Sequence, residues 1–154
     1  MSEETAEYCS CKLYVRGDDL DPQLVTTLLG VEPSEAYLKG EHKILRVNRE
    51  SPAKPSNLIV RTGTWRLDVA EEKKRSWDAA AQLEYWCAFL MSREAAVREL
   101  QAHGYEVMVD CYIDEGPIVY LDLSVALMQA LGNLGVALKF GFYDGENLQA
   151  EKTP

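Results

Sequence analysis

Several features that identify large classes of proteins are missing from this sequence. No apolar run approaches the roughly 18 residues that a membrane-spanning helix needs, and the acidic start MSEETAEY has neither the basic nor the apolar region of a signal peptide. There is no G-x-S-x-G, H-E-x-x-H or P-loop motif, and only two histidines are present. We therefore expect a cytoplasmic protein that is not an enzyme and does not contact membranes.

Positive charge is also scarce. The 154 residues include 16 Lys and Arg against 25 Asp and Glu, which gives a net charge of −9. This balance argues against nucleic acid as a partner, because nucleic-acid binding needs a basic surface. It is compatible with a basic protein partner, but the favoured interpretation is that the negative surface only maintains solubility. No cofactor is indicated.

The four cysteines do not have the pattern of a disulfide framework, and free thiols are expected in a reducing cytoplasm. Cys9 and Cys11 share one face of a strand, and Cys111 belongs to a strand that we expect beside it. The three thiols could hold a metal ion, but structural zinc sites usually have gaps of two or more residues and a second pair of ligands. We favour buried core thiols and predict no metal site.

What the sequence does contain is a regular alternation of strand and helix patterns, which we assign to a single domain at residues 8–144. Residues 8–16 alternate in polarity, as a half-buried strand does. After an acidic turn, Asp21 is a suitable N-cap, Pro22 fits the first helical position, and Gly30 can end the helix.

The middle of the chain has weaker patterns. Residues 34–40 predict a short strand, and residues 41–57 predict a surface loop with room for a short strand at 44–47. Residues 58–69 contain two apolar alternations around Gly63, which indicates either one strand with a glycine bulge or two short strands.

Further helices and strands follow in the second half. Ser76 is predicted to begin a helix that ends near Met91, and Ser92 to cap a second helix, although one kinked helix is an alternative. The remaining predicted elements are a strand at 105–113, a short hairpin at 118–121, a helix between Ser124 and Gly135, and a last strand at 136–143.

The element order β-α-β-β-α-β-α-β predicts an α+β fold. Its first six elements match the ferredoxin-like, or split βαβ, plan. Alternating strands indicate a sheet with helices on one face, and the last helix and strand extend that sheet as a C-terminal αβ unit. Residues 1–7 and 145–154 are predicted to be flexible acidic or polar tails.

Four stretches of the sequence carry a resemblance to a known family. They are YVRGDDLDPQLVTTLLGVEPSEAYLKG at 14–40, TGTWRLD at 62–68, CYIDEGP at 111–117 and LGVALKFGFYD at 134–144. The chain resembles the bacterial family known as domain of unknown function 4279 over most of residues 9–144. The resemblance supports one domain of this fold and implies no catalytic residues, and the cysteine-rich first strand departs from the family pattern.

Acidic residues in two turns form the first group of candidate site residues. Asp18 and Asp19 follow the first strand, and Asp114 and Glu115 follow the strand that ends near Ile113. They could be paired carboxylates or an acidic patch that docks a basic partner, but turn and cap chemistry is the favoured interpretation. Antiparallel neighbouring strands would also place the two turns at opposite ends of the sheet.

A second group of candidates surrounds the most distinctive short stretch, Gly63-Thr64-Trp65-Arg66. Trp65 is favoured as a core residue because its face continues to Leu67. The alternative makes Trp65 an aromatic anchor of a ligand site, with Arg61, Arg66 and Lys39 as contacts for an anion.

These observations favour a non-catalytic protein-binding module that neutralises a basic partner, as immunity proteins do. The alternative is a small-molecule-binding protein or minor enzyme with its site near Trp65, Arg61, Arg66 and Lys39. Self-association through an exposed edge strand is a weaker third possibility, so we expect a monomer or a weak homodimer.

Overall fold

The computed structural model of the chain describes residues 8–45, 54–70, 72–73, 77–114 and 121–142. The predicted tails at 1–7 and 145–154 and the predicted hairpin at 118–121 lie outside these residues. The helices and strands are, in order, β1 Tyr8–Gly17, α1 Pro22–Leu29, β2 Glu35–Tyr37, β3 His42–Leu45, β4 Lys54–Ile59, β5 Gly63–Leu67, α2 Ala79–Met91, α3 Glu94–Ala102, β6 Glu106–Asp114, α4 Val125–Leu134 and β7 Ala137–Phe142.

Five of the strands form one mixed sheet in the order β2-β5-β1-β6-β7. All neighbours in it are antiparallel except β6 and β7, which are parallel and are joined through α4. β5 lies between β1 and β2, and β1 lies between β5 and β6, so an antiparallel strand splits each βαβ unit. The predicted α+β class is confirmed, and the strand order agrees with the split βαβ plan.

The helix ends follow from cap chemistry. The side chain of Asp21 accepts a hydrogen bond from the backbone N–H of Gln23, the second residue of α1. Gly30 ends α1 at a φ of 75°. Ser124 caps α4 in the same way, and Gly135 ends α4 at a φ of 71°. Glycine suits both ends because side chains disfavour this left-handed conformation. The caps predicted at Asp21, Gly30, Ser124 and Gly135 are confirmed.

Two predicted helix starts are wrong. α2 begins at Ala79 with Asp78 as its N-cap, whereas the predicted start at Ser76 lies outside the described residues. Ser92 does not cap the following helix, because its hydroxyl donates to the carbonyl of Phe89 in the last turn of α2. Aspartate and serine have similar N-cap preference, so the sequence alone did not distinguish these positions.

Much of the segment predicted as a surface loop at 41–57 is a β-hairpin. β3 and β4 pair antiparallel in a two-stranded sheet of their own, and β4 already begins at Lys54. β3 ends at Leu45, which agrees in part with the strand expected near 44–47. Periodicity missed β4 because its sequence KPSNLI is mostly exposed on both faces.

β4 and β5 are two separate strands, which resolves the alternatives for residues 58–69. Gly63 begins β5 directly opposite Gly17 of β1. A Cβ atom at Gly63 would lie 2.7 Å from the carbonyl oxygen of Gly17 and 2.9 Å from Cβ of Leu20. Gly63 is therefore required by close backbone approach and does not form a bulge.

The helices cover one face of the five-stranded sheet, where α1, α2 and α3 pack on β5, β1 and β6. The buried sheet residues that face them are Cys9, Cys11, Leu13, Val15, Trp65, Val107, Val109, Cys111 and Ile113. None of the helices in the described ranges is long and apolar enough to cross a membrane.

Side chains of α2 complete the hydrogen bonding of β1. β5 pairs with β1 only at residues 13–17, so the earlier half of β1 has no strand on that side among the described residues. The amide of Gln82 takes that place: its Oε1 accepts from the backbone N–H of Cys11 at 2.8 Å, and its Nε2 donates to the carbonyl of Cys9 at 3.0 Å. The indole of Trp86 donates to the carbonyl of Cys11 at 2.8 Å.

Replacing Gln82 with leucine should destabilise the protein strongly. The side chain is fully buried, and the substitution removes three hydrogen bonds, with the N–H of Cys11 and the carbonyls of Cys9 and Trp77. We expect Gln82→Leu to lower the free energy of unfolding by about 2–5 kcal/mol, measured by urea denaturation. The matched control is Gln101→Leu, which removes a partly exposed amide from the carbonyl of Leu134 and should cost about 1 kcal/mol or less. Equal losses for the two variants would contradict this role of Gln82.

Candidate ligand-binding cleft

The sheet face opposite the helices carries a block of polar side chains on β2, β5 and β1. The register of the strands fixes their positions: Arg66 lies opposite both Tyr14 and Glu35, and Thr64 lies opposite Arg16 and Tyr37. Because side chains alternate along a strand, this block shares β1 and β5 with the buried core residues but points to the other side.

The β3–β4 hairpin stands beside this polar block and is tied to the sheet. The hydroxyl of Tyr37 accepts from the backbone N–H of Ile44 at 3.0 Å. The N–H of Gly40 donates to the carbonyl of Val60, and the N–H of Val60 donates to the carbonyl of Glu41, both at 2.8 Å. The hairpin therefore forms one wall of a cleft whose other wall is the outer face of the sheet.

The cleft has two adjoining compartments. The wide compartment has a volume of about 360 Å³ and is lined by Arg16, Lys43, Leu58, Ile59, Val60, Arg61, Thr62 and Thr64. The narrow compartment has a volume of about 100 Å³ and is lined by Tyr14, Arg16, Glu35, Tyr37, Lys43, Val60, Thr64 and Arg66. Four residues line both compartments, so one ligand can contact both.

The wide compartment is positively charged. Arg16, Lys43 and Arg61 line it, and its described lining contains no carboxylate. Within the described part of the chain, none of these three cations has a carboxylate within 4.0 Å. The guanidinium of Arg16 lies 4.8 Å from the ring centroid of Tyr14, and Arg16 lies opposite Glu106 of β6 in the strand register.

The residues that line only the narrow compartment add little net charge, because their one cation, Arg66, is already paired. Nη1 of Arg66 lies 3.4 Å from Oε1 of Glu35, and Nη2 donates to Oδ2 of Asp68 at 3.2 Å. Nε of Arg66 lies 2.9 Å from Oδ1 of Asp68, although this contact lacks hydrogen-bond geometry. Burial lowers the pKa of Arg66, but the two carboxylates outweigh it and the net pKa is raised. Burial raises the pKa of Tyr14, so its hydroxyl stays neutral.

The second group of candidates is divided by the structure. Arg61 lines the wide compartment and Arg66 the narrow one. Trp65 is fully buried on the helical face, where its indole donates to Oγ1 of Thr26 at 3.1 Å. The interpretation of Trp65 as a core residue is confirmed, and its alternative role as a ligand anchor is wrong, because it alternates with the outward-facing Thr64 and Arg66.

Lys39 does not belong to the cleft. Its Nζ lies 3.5 Å from Oδ2 of Asp18, in an exposed ion pair beyond the end of β1. The predicted contribution of Lys39 to a shared site with Arg61 is therefore wrong. Of the cations in the cleft, Arg16 and Lys43 were missed. The polar face of β1 was a signal for Arg16, whereas Lys43 belongs to a strand that the sequence predicted as loop.

The acidic candidates do not form a single surface. Asp18 and Asp19 are exposed just beyond the last residue of β1, whereas Asp114 pairs with the first residue of β1, Tyr8. The two turns are separated by the length of the strand, about 30 Å at roughly 3.4 Å per residue. The expectation that they lie at opposite ends of the sheet is confirmed. Glu115 lies outside the described residues.

The clustered cysteines belong to the core. Cys11 lies directly opposite Cys111, and both are fully buried. The pKa of the Cys11 thiol is raised well above its usual value, mainly by its hydrogen bond with Cys111, with burial adding to the effect and Cys9 opposing it. Among the residues in the described ranges, no group of three His, Cys, Asp or Glu side chains is placed to hold a metal ion. The favoured interpretation as core thiols is confirmed.

Comparison with known proteins places the chain in a family. The family described as Domain of unknown function (DUF4279) matches residues 6–145, and the chain belongs to this family. No curated protein and no solved structure matches the chain. The family description assigns no activity, so the residues of the cleft are the basis for a functional proposal.

The buried thiols should be inert in the native protein. We expect Cys11 and Cys111 to remain unmodified by an aromatic disulfide reagent at pH 8, because both side chains are fully buried and the raised pKa of Cys11 disfavours its reactive thiolate. In denaturant all four cysteines should react, which provides the control. Adding Zn²⁺ to the native protein should change neither the extent nor the rate of modification. Rapid native reaction of Cys11, or its protection by Zn²⁺, would contradict the structural role.

Proposed function

We propose that this protein is a cytoplasmic, non-catalytic binding protein and that the cleft between the sheet and the hairpin binds an anionic ligand. The observation that carries the proposal is the set of three cations, Arg16, Lys43 and Arg61, that line one concave surface and form no ion pair with any described residue. The chain has nine more negative than positive charges. Acidic residues placed close to these three cations would therefore have been sufficient to pair them. An anion in the cleft would relieve their mutual repulsion.

The lining of the cleft favours binding over catalysis. General acid–base catalysis needs a group whose pKa is near the working pH, and nucleophilic catalysis needs an activated side chain. The described lining of both compartments contains no histidine or cysteine. Its one carboxylate, Glu35, pairs with Arg66, and the pKa of Tyr14 is moved further from neutrality. These features support a site that orients and retains a ligand.

Removing a cation from the cleft should weaken anion binding. We expect Arg61→Ala and Lys43→Ala each to raise the dissociation constant for inorganic phosphate by about tenfold or more, because a hydrogen bond to a charged group contributes about 1.5 kcal/mol or more. Isothermal titration calorimetry at two salt concentrations measures this, and higher salt should weaken binding.

Lys39→Ala is the matched control for this experiment. It removes one exposed cation that pairs with Asp18 and does not line the cleft. It should leave the dissociation constant for phosphate within about twofold, once thermal unfolding has shown that all variants are folded. Equal weakening by Lys39→Ala, or no saturable binding of any anion to the native protein, would refute the proposal.

A second candidate function is the neutralisation of a basic protein partner. It is supported by the net charge of −9 and by the exposed side chains of Asp18 and Asp19 beyond one end of β1. Such a partner would be steered by charge, so its association rate would depend on salt.

This second candidate has its own test. A pull-down with the native protein should recover a basic protein at low salt and lose it at high salt. Asp18→Lys together with Asp19→Lys should slow its association by about tenfold or more, while Asp114→Lys at the other end of the sheet should have less effect. An association rate that is indifferent to salt and to these changes would reject a charge-steered partner.

A further inference from the structure

We infer that the two compartments of the cleft bind different parts of one ligand: a divalent oxyanion in the wide compartment and an uncharged, hydroxyl-bearing group in the narrow one. The inference rests on the proposed anion-binding function and specifies the class of ligand. The shared residues Arg16, Lys43, Val60 and Thr64 make the two compartments continuous, so a single small molecule can extend from one to the other.

The charge of the wide compartment matches an anion of charge −2. Three cations that form no ion pair with the described residues line it, and a singly charged ligand group would leave most of this charge without a partner. A phosphate monoester carries about −1.5 to −2 charges near neutral pH and offers three acceptor oxygens to several donors at once. A dicarboxylate has the same charge, so the shared chemistry is that of a divalent oxyanion.

The narrow compartment requires a different group. Arg66 is already held by Glu35 and Asp68, so the residues that line only this compartment offer hydrogen-bonding capacity instead of net charge. Among the described residues, the hydroxyl of Tyr14 has no hydrogen-bond partner. Oγ1 of Thr64 donates to the carbonyl of Thr62 and can still accept.

Tyr37 adds a further polar contact to this compartment. Its hydroxyl accepts from the N–H of Ile44, so its own proton remains available for a ligand. The lining therefore offers both donors and acceptors. This combination suits a ligand hydroxyl group, which both donates and accepts. The volume of about 100 Å³ corresponds to a few waters, since each water occupies about 30 Å³ in the liquid. A short hydroxylated fragment fits these properties better than a large or apolar body.

The ligand class is therefore a small hydroxylated compound that carries a phosphate monoester or two carboxylates. Apolar ligands are disfavoured, although Leu58 and Ile59 are more than half exposed on the hairpin wall. These side chains line only the wide compartment, where they can exclude water around the anion without contacting the hydroxylated part.

The test compares ligands that carry the same oxyanion with and without hydroxyl groups. Glycerol 3-phosphate and methyl phosphate share the phosphate, and malate and succinate share two carboxylates. We expect the hydroxylated member of at least one pair to bind about three- to tenfold more tightly, which is the effect of one or two net hydrogen bonds. The pair that shows the preference identifies the oxyanion.

Tyr14→Phe tests whether the preference arises in the narrow compartment. It removes the hydroxyl but keeps the ring on which the guanidinium of Arg16 lies, so the wide compartment should be preserved. We expect the variant to lose most of the preference for the hydroxylated ligand while binding methyl phosphate or succinate as the native protein does. Arg61→Ala should weaken both members of a pair by the same factor, because Arg61 lines only the wide compartment.

The possible failures are distinguishable. If anions bind but neither pair shows a preference for hydroxyl groups, the two-part ligand is rejected and the proposed anion site remains. If Tyr14→Phe weakens methyl phosphate as much as glycerol 3-phosphate, the division of the cleft is rejected. If no anion binds at all, the proposed function itself fails.

Discussion

The attachment of α2 to the half of β1 that has no neighbour on the β5 side, among the described residues, is the interaction on which the other contacts depend. A buried backbone N–H or C=O group without a partner costs about as much as a lost hydrogen bond, so the missing strand neighbour has to be replaced. Gln82 and Trp86 replace it from the helix, with three hydrogen bonds of 2.8–3.0 Å to Cys9 and Cys11. Because these bonds are directional, they fix α2 relative to the sheet more tightly than apolar packing alone would.

The helices cover only one face of the sheet, so β1 and β5 present apolar side chains to the helices and polar side chains on the opposite face. The inward residues Leu13, Val15 and Trp65 are fully buried, while the outward residues beside them build the cleft. A rigid five-stranded sheet thereby supports the outward side chains of Tyr14 and Arg16, whose backbone cannot move without disturbing the core. Binding groups on such a support are held more precisely than groups on a loop would be.

The sequence predicted the fold better than the site, and particular residues show why. Period-two alternation and the caps at Asp21 and Gly30 are local signals, and they were sufficient for the strands, the helices and the α+β class. The cleft, in contrast, depends on a hairpin that brings Lys43 beside Arg16, and no local pattern encodes that distance. Trp65 illustrates the opposite case, since its rarity drew attention to a residue whose role is to fill the core.

The hairpin also differs from the sheet in how its stability is maintained. An isolated two-stranded hairpin is marginally stable in water, and β3 and β4 form a sheet of their own. The hydrogen bonds of Tyr37 with Ile44 and of Val60 with Gly40 therefore contribute much of the stability of the hairpin. The hairpin is thus expected to open locally at a lower free energy than the five-stranded sheet, as a separate cooperative unit. A ligand that contacts both walls would couple the two units and would slow amide exchange in β3 and β4 far more than in β1.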